Sequence, residues 1–244
     1  MTSSMDEELR GSYAAAQRLG DRLHQCDATA AHRLRDGTRA YALLDGINDT
    51  PAVHAWTQAA ARQLAQAAAR HADAEAGLRA EQARYAADPA RAARDHDLPT
   101  AAAVVAVHTP GAQLSVAWSG DARAYLLLDG LLHLLTEDHN ARRYGGDRNL
   151  ITACLGAGYD DQETEQIWGH PAVEALRGRS RPGVLLLASD GAYEPPEDAG
   201  HDLADYLTGD LHDAAERLVE DAIEHAHAYP GAPADNATAL ITRL

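Results

Sequence analysis

Five aspartates stand at the edges of strand-like runs: Asp27 before "ATAAHRLR", Asp45 closing "RAYALLD", Asp121 in "WSGDARAY", Asp190 after "GVLLLAS" and Asp235 in "PADNATALI". Strand ends and the loops beyond them are where folds place ligands, and five carboxylates at comparable ends can converge on one rim of a sandwich. Carboxylates gathered without partners repel one another unless cations sit among them. No Cys or His set has zinc spacing, and an all-oxygen donor set suits Mg2+ or Mn2+. The chemistry open to such a set is two-metal hydrolysis: a shared carboxylate holds both ions, a water is activated and a phosphoryl oxygen is oriented. The plainer alternative is that several of these acids are caps or turn residues, and Asp235-Asn236 taken alone reads as a loop cap.

Four Asp-Gly pairs sharpen the choice. Asp36-Gly37 and Asp129-Gly130 have strand-like residues on both sides, the short-range signal of a two-residue hairpin whose central residues take positive φ. Asp45-Gly46 is followed by "INDTP" and Asp190-Gly191 by "AYEPPEDAG", neither of which is strand-like. The flanks leave those two open between turn and ligand.

The elements that must carry these acids follow from periodicity. Strands are expected at 11–17, 28–35, 39–45, 101–109, 113–120, 122–128, 131–136, 183–191 and 237–244. The Ala-rich stretch 51–95, poor in β-branched residues, reads as two helices broken near 72–76. An amphipathic helix is expected over 209–229, ended by Pro230-Gly231. Residues 137–182 are polar and Gly-containing, without a clear pattern, and "YDDQETE" (159–165) reads as a solvated loop. Short connections between strands favour antiparallel sheets with helices outside, one α+β domain over 1–244.

The net charge of −16 argues against sequence-independent binding to nucleic acid and against anionic membranes. No apolar run reaches the ~18 residues of a membrane-spanning helix, the start "MTSSMDEELRGS" has no signal-peptide pattern, and two cysteines, Cys26 and Cys154, fit a reducing cytoplasm. All 21 basic residues are Arg and Phe is absent, a compositional bias that removes meaning from arginine counts alone.

Taken in order, Arg22-x4-Asp27, "YALLDG" (41–46), "SGDARAYLL" (119–127), "LTEDHN" (135–140), "ACLGAG" (153–158), "LLLASDG" (185–191) and "DNAT" (235–238) resemble the metal-dependent protein serine/threonine phosphatases of type 2C, the PPM family. No single motif is specific; seven in the correct order, with the helix pair between the second and third, are. The resemblance runs from about residue 10 to 244. It implies a four-layer αββα sandwich, two antiparallel sheets flanked by helix pairs, with two Mg2+ or Mn2+ ions in a cleft at one end. By position, Asp45 is similar to the bridging ligand and Gly46 would give its carbonyl to one ion. Asp190 and Asp235 resemble ligands of the other, and Asp27 would hold metal-bound water. Asp121 resembles the carboxylate of a third, weaker metal site, Arg22 the arginine that clamps the substrate phosphate, and Asn236 a residue that orients the metal shell. A phosphorylated Ser/Thr protein is the implied substrate, and a cytoplasmic monomer is expected.

This chain departs from the family at Cys26, where a Glu is usual, at Ile47 in "DGIND", where many members carry a histidine proposed as general acid, and at "LPTAA" (98–102). The flap beside the cleft is short. These departures keep open a second class, a silent homologue that binds a partner. His225 and His227 do not share a helix face and are expected at the surface; His139 is expected to be a loop hydrogen-bonder.

Overall fold

The computed structural model describes residues 12–92, 98–111, 113–228 and 233–244. The expected helix stop at Pro230-Gly231 and the first residue of the 11–17 strand lie outside the described residues.

The strands are β1 (Tyr13–Arg18), β2 (Ala28–Arg33), β3 (Arg39–Gly46), β4 (Ala101–Thr109), β5 (Gln113–Ser119), β6 (Arg123–Leu128), β7 (Leu131–Leu134), β8 (Glu174–Arg179), β9 (Val184–Ala188) and β10 (Ala237–Arg243). They form two five-stranded sheets, ordered β1-β10-β9-β6-β7 and β2-β3-β4-β5-β8, and every pairing is antiparallel. The helices are α1 (Pro51–His71), α2 (Ala74–Ala86), α3 (Pro89–Ala92), α4 (Asp161–Trp168), α5 (Asp190–Asp198) and α6 (Leu211–Ala228). Among the described residues, no helix is long and apolar enough to cross a membrane.

Three separate cores define four layers. Ala42, Leu44, Val105 and Val107 of the second sheet pack under Leu64 and Leu78 of α1 and α2. Leu43, Val104, Leu185, Leu187 and Leu240 fill the space between the sheets. Leu186, Ala239 and Ile241 pack under Tyr193 of α5 and Leu218 of α6. Consecutive residues of β3 and β9 therefore serve opposite cores, which is the period-2 rule for a strand buried on both faces. The expected αββα sandwich is the observed one.

The α1–α2 break falls where sequence placed it. Thr50 accepts from Val53 N at the start of α1, Ala72 closes it with a left-handed φ of 51°, and Asp73 immediately caps α2 through Ala76 N. Gly77 lets the two helices touch: a Cβ there would lie 2.3 Å from Ala68 Cα.

The Asp129-Gly130 turn has both residues at positive φ, 51° and 82°, as a two-residue hairpin requires. Asp36-Gly37 is a hairpin of another kind. Gly37 N donates to Leu34 O, Leu34 N donates to Thr38 O, and of the pair Gly37 alone has positive φ (93°). This is a three-residue loop, with Asp36 capping Thr38 N at 2.8 Å.

The polar stretch 137–182 holds more order than its pattern suggested. It contains a 3-10 turn at Ala141–Tyr144, helix α4 and strand β8. Residues 161–165 are helical rather than a loop, because Asp160 and Glu163 form a reciprocal capping box. β8 completes the second sheet against β5. Helix α5 forms in spite of Pro195 and Pro196, its first turn bonded by Ala192 N and Tyr193 N to Ser189 O.

Candidate active site

Four of the five aspartates come to one rim because their strands end there. β3 delivers Asp45 and Gly46. The β5–β6 connection delivers Asp121 behind Gly120, whose φ of 115° and close approach to Ala102 (a Cβ would lie 2.5 Å from its Cα) exclude a side chain. The end of β9 delivers Asp190 at the start of α5, and the approach to β10 delivers Asp235 and Asn236. Arg22 reaches in from the β1–β2 loop. Together with Cys26, Asp49, Asn149 and Ile151, these residues line a cleft of about 250 Å³.

Asp27 is the exception among the expected residues. It is 1% exposed and lies behind the cleft wall, with Oδ2 lacking any hydrogen-bond partner. Burial pushes its carboxyl up to about 8, Asp190 and Asp235 add to the rise, and hydroxyls of Thr238 and Ser189 oppose it. Asp45 is raised well above the carboxylate range by burial and then by Asp27, Asp190, Asp235 and Asp121. Burial and Asp190 raise Asp121; burial and Asp235 raise Asp190, while a hydrogen bond with Asp45 lowers it. This is the signature of acids that cannot all ionise without cations.

Arg22 is the cation at hand. Its Nη2 donates to Asp235 Oδ2 at 2.5 Å, and its buried Nε has no partner. Burial pulls its pKa down, and the pair with Asp235 more than reverses that. A planar guanidinium with an unused donor suits a phosphate oxygen. Asn236 ties the rim together: its Oδ1 accepts from Cys26 N at 2.7 Å and its Nδ2 donates to Leu19 O at 2.8 Å. Its own N–H donates to Asp235 Oδ1 at 2.7 Å.

Among the described residues, no three His, Cys, Asp or Glu side chains close on one point as a ready cage. The donor set is all oxygen, mutually repelling and open to the cleft, so the residues fit hard divalent ions.

Cys26 is 3% exposed. Burial pushes its thiol up, and Sγ donates to Thr50 O at 3.8 Å, so the side chain stands as a neutral group in the cleft wall. Ile47 also lines the cleft.

Sequence reasoning passed over several residues that set the site. Asn140 Nδ2 donates to Asp121 Oδ2 at 3.4 Å. Arg123 makes two 2.8 Å bonds to Asp138 and lies over the Tyr193 ring, while Tyr193 OH donates to the Asp121 carbonyl at 3.0 Å. The matched "GDAR" and "TEDHN" stretches thus hold a buried ion pair as well as a candidate ligand. His139 bonds Glu174 at 2.9 Å and stacks on His170, a hydrogen-bonder as expected. His225 lies against His201 and His227 pairs with Asp21 at the surface.

A family profile described as "Protein phosphatase 2C" matches residues 12–144. No curated protein matches the chain. Among solved structures, the chain is similar to the serine/threonine phosphatase PstP/Ppp of Mycobacterium tuberculosis, at 24% identity over 95% of this chain and 97% of that one, with a TM-score of 0.70. The PPM Ser-Thr phosphatase MsPP of Mycobacterium smegmatis, solved with cacodylate, matches at 24% identity over 96% and 98%, TM-score 0.70. The catalytic domain of PstP in complex with two manganese ions matches at 25% identity over 95% and 96%, TM-score 0.64.

Proposed function

The chain belongs to the protein phosphatase 2C family, and we propose that it removes phosphate from Ser or Thr of proteins by direct hydrolysis, as one catalytic domain with a reduced flap. By family and fold it is a metal-dependent serine/threonine phosphatase. The observation that carries the finer reading is the rim of mutually repelling carboxylates facing an arginine with an unused buried donor.

In this reading Asp45, the Gly46 carbonyl, Asp190 and Asp235 hold two Mn2+ or Mg2+ ions, and Asp121 serves a third, weaker site. When bound, the ions supply an activated water and neutralise charge on the phosphoryl oxygens. The protein's own part is to gather and orient. Arg22 takes a phosphate oxygen through the exposed edge of its guanidinium, which helps align the ester for in-line attack. Asp27, recessed and with a free oxygen, holds water at the back of the centre and does not touch substrate. Asn236 and Asn140 keep Asp235 and Asp121 in place. No thiol serves as nucleophile: burial raises Cys26, and Cys154 stands at about 11.

The test is hydrolysis of p-nitrophenyl phosphate and of a phosphothreonine peptide with Mn2+ and with excess chelator. Activity that needs metal and disappears in Asp45→Asn is expected. A well-folded protein that binds Mn2+ yet releases no phosphate from either substrate would instead identify a silent homologue that binds a partner.

A further inference from the structure

Four of the five acids lining the cleft have a place in the proposed chemistry; Asp49 has none. It follows Asn48, whose left-handed φ of 80° turns the chain after β3. The Asp49 carboxylate is spent on the β1–β2 loop. Oδ2 accepts from Leu23 N at 2.7 Å, and Oδ1 accepts from His24 N at 2.9 Å and contacts His24 Nδ1 at 2.8 Å. These are the two residues that follow Arg22.

We propose that Asp49 is a positioning residue that holds the Arg22 loop in register with the cleft, and so sets the affinity for substrate phosphate. The inference rests on the phosphatase reading of the cleft. Leu23 is 82% exposed, so the loop has no apolar anchor there and depends on polar bonds. On the other flank, Asp21 N donates to Ala234 O at 2.9 Å, and Asp21 Oδ2 accepts from Ala234 N at 2.9 Å. Arg22 is thus held from both sides, by the segment that carries Asp235 and by the segment that carries Asp45 and Gly46. Hydrogen bonds from Leu23 N and His24 hold Asp49 below the usual carboxylate range, so its charge is present at working pH. That charge also favours the Arg22 cation. Asp49 therefore couples the strand that bears one pair of candidate ligands to the loop that bears the clamp.

The experiment is a double-mutant cycle. KM and kcat for a phosphothreonine peptide at saturating Mn2+, and calorimetric Kd for inorganic phosphate, are measured for the native chain, Asp49→Asn, Arg22→Ala and the double variant. Loss of charge-assisted bonds and a displaced clamp should raise KM and Kd roughly 5- to 30-fold in Asp49→Asn, with kcat within about threefold. The double variant should be no worse than Arg22→Ala. Unchanged KM and Kd in Asp49→Asn overturn the proposal, as does an effect of full size in the Arg22→Ala background. His24→Ala, which keeps both backbone bonds, should shift KM the same way by a smaller factor; if Asp49→Asn fails to fold, an unchanged KM in His24→Ala overturns the proposal. Phosphate binding that depends on Asp49 in a protein without hydrolysis would sink the phosphatase reading and leave this one standing.

Discussion

Asp27→Asn should stabilise the metal-free protein at alkaline pH. In the fold its carboxyl is raised from 3.8 to about 8; unfolded, it returns to the ordinary value. The stability that the protonated form provides is complete below pH ~4, falls as pH rises and is lost above about 8, because the unfolded chain gives up its proton first. One unit is worth about 1.4 kcal/mol, so the shift sets a ceiling of about 6 kcal/mol. Water entering through the open cleft lowers the realised figure to about 1–3 kcal/mol. For a chain of this length that is a rise in Tm of roughly 2–12 °C. The assay is thermal unfolding with chelator at pH 8.5 and pH 4.5, native chain against variant. The gain should be present at the higher pH and nearly absent at the lower. Saturating Mn2+ should reverse the order, since ions that bind the charged cluster stabilise the native chain by about 2.7 kcal/mol at a hundredfold excess over Kd. A variant that is less stable than the native chain at pH 8.5 in chelator would refute the reasoning, because the buried, charged carboxylate would then not be costing the fold stability.

Asp45→Asn should lower kcat/KM by at least about a hundredfold and weaken Mn2+ binding, with the fold retained by circular dichroism; near-normal turnover would remove Asp45 from the centre. Arg22→Ala should act mainly on KM for a phosphopeptide, since a phosphate clamp works in the ground state as well as the transition state; steady-state kinetics decide it. Cys26→Glu restores a carboxylate in the cleft wall and should lower the Mn2+ concentration for half-maximal rate. Identical metal titrations for both forms would show that position 26 lies outside the metal shell.

The parts of the fold legible in the sequence are those with a buried face on both sides or a signature at their ends. β3, β4 and β9 are near-continuous apolar runs, and β3 and β9 end at acids of the site. β8 was not legible because it is an edge strand: Glu174, Arg177 and Arg179 alternate with a glycine, and its last four residues are exposed, so no hydrophobic period marks it. Helix α4 carried a signal in Asp160-x-x-Glu163 that the surrounding acidity hid. Helix α5 was hidden by two prolines, which propensity alone treats as breakers. At the site, motif order gave the carboxylates and Arg22, whereas Asn140, Arg123 and Asp49 work through contacts 15 to 26 residues away in the chain, beyond the reach of local spacing.

The rim draws its acids from two sheets that, among the described residues, share no strand pairing. Asp45 moves with β3, whereas Asp190 and Asp235 move with β9 and β10. The interdigitated side chains between the layers, helped by the Asn236–Cys26 bond across the rim, keep the two groups in step. A slip of one layer over the other would leave every backbone ladder intact and yet separate the donors. The centre is therefore a gauge of shear in the sandwich. An over-packed or emptied position at Leu43 or Leu187, neither of which carries a donor, should be felt first as lost grip at the rim and only later as lost fold.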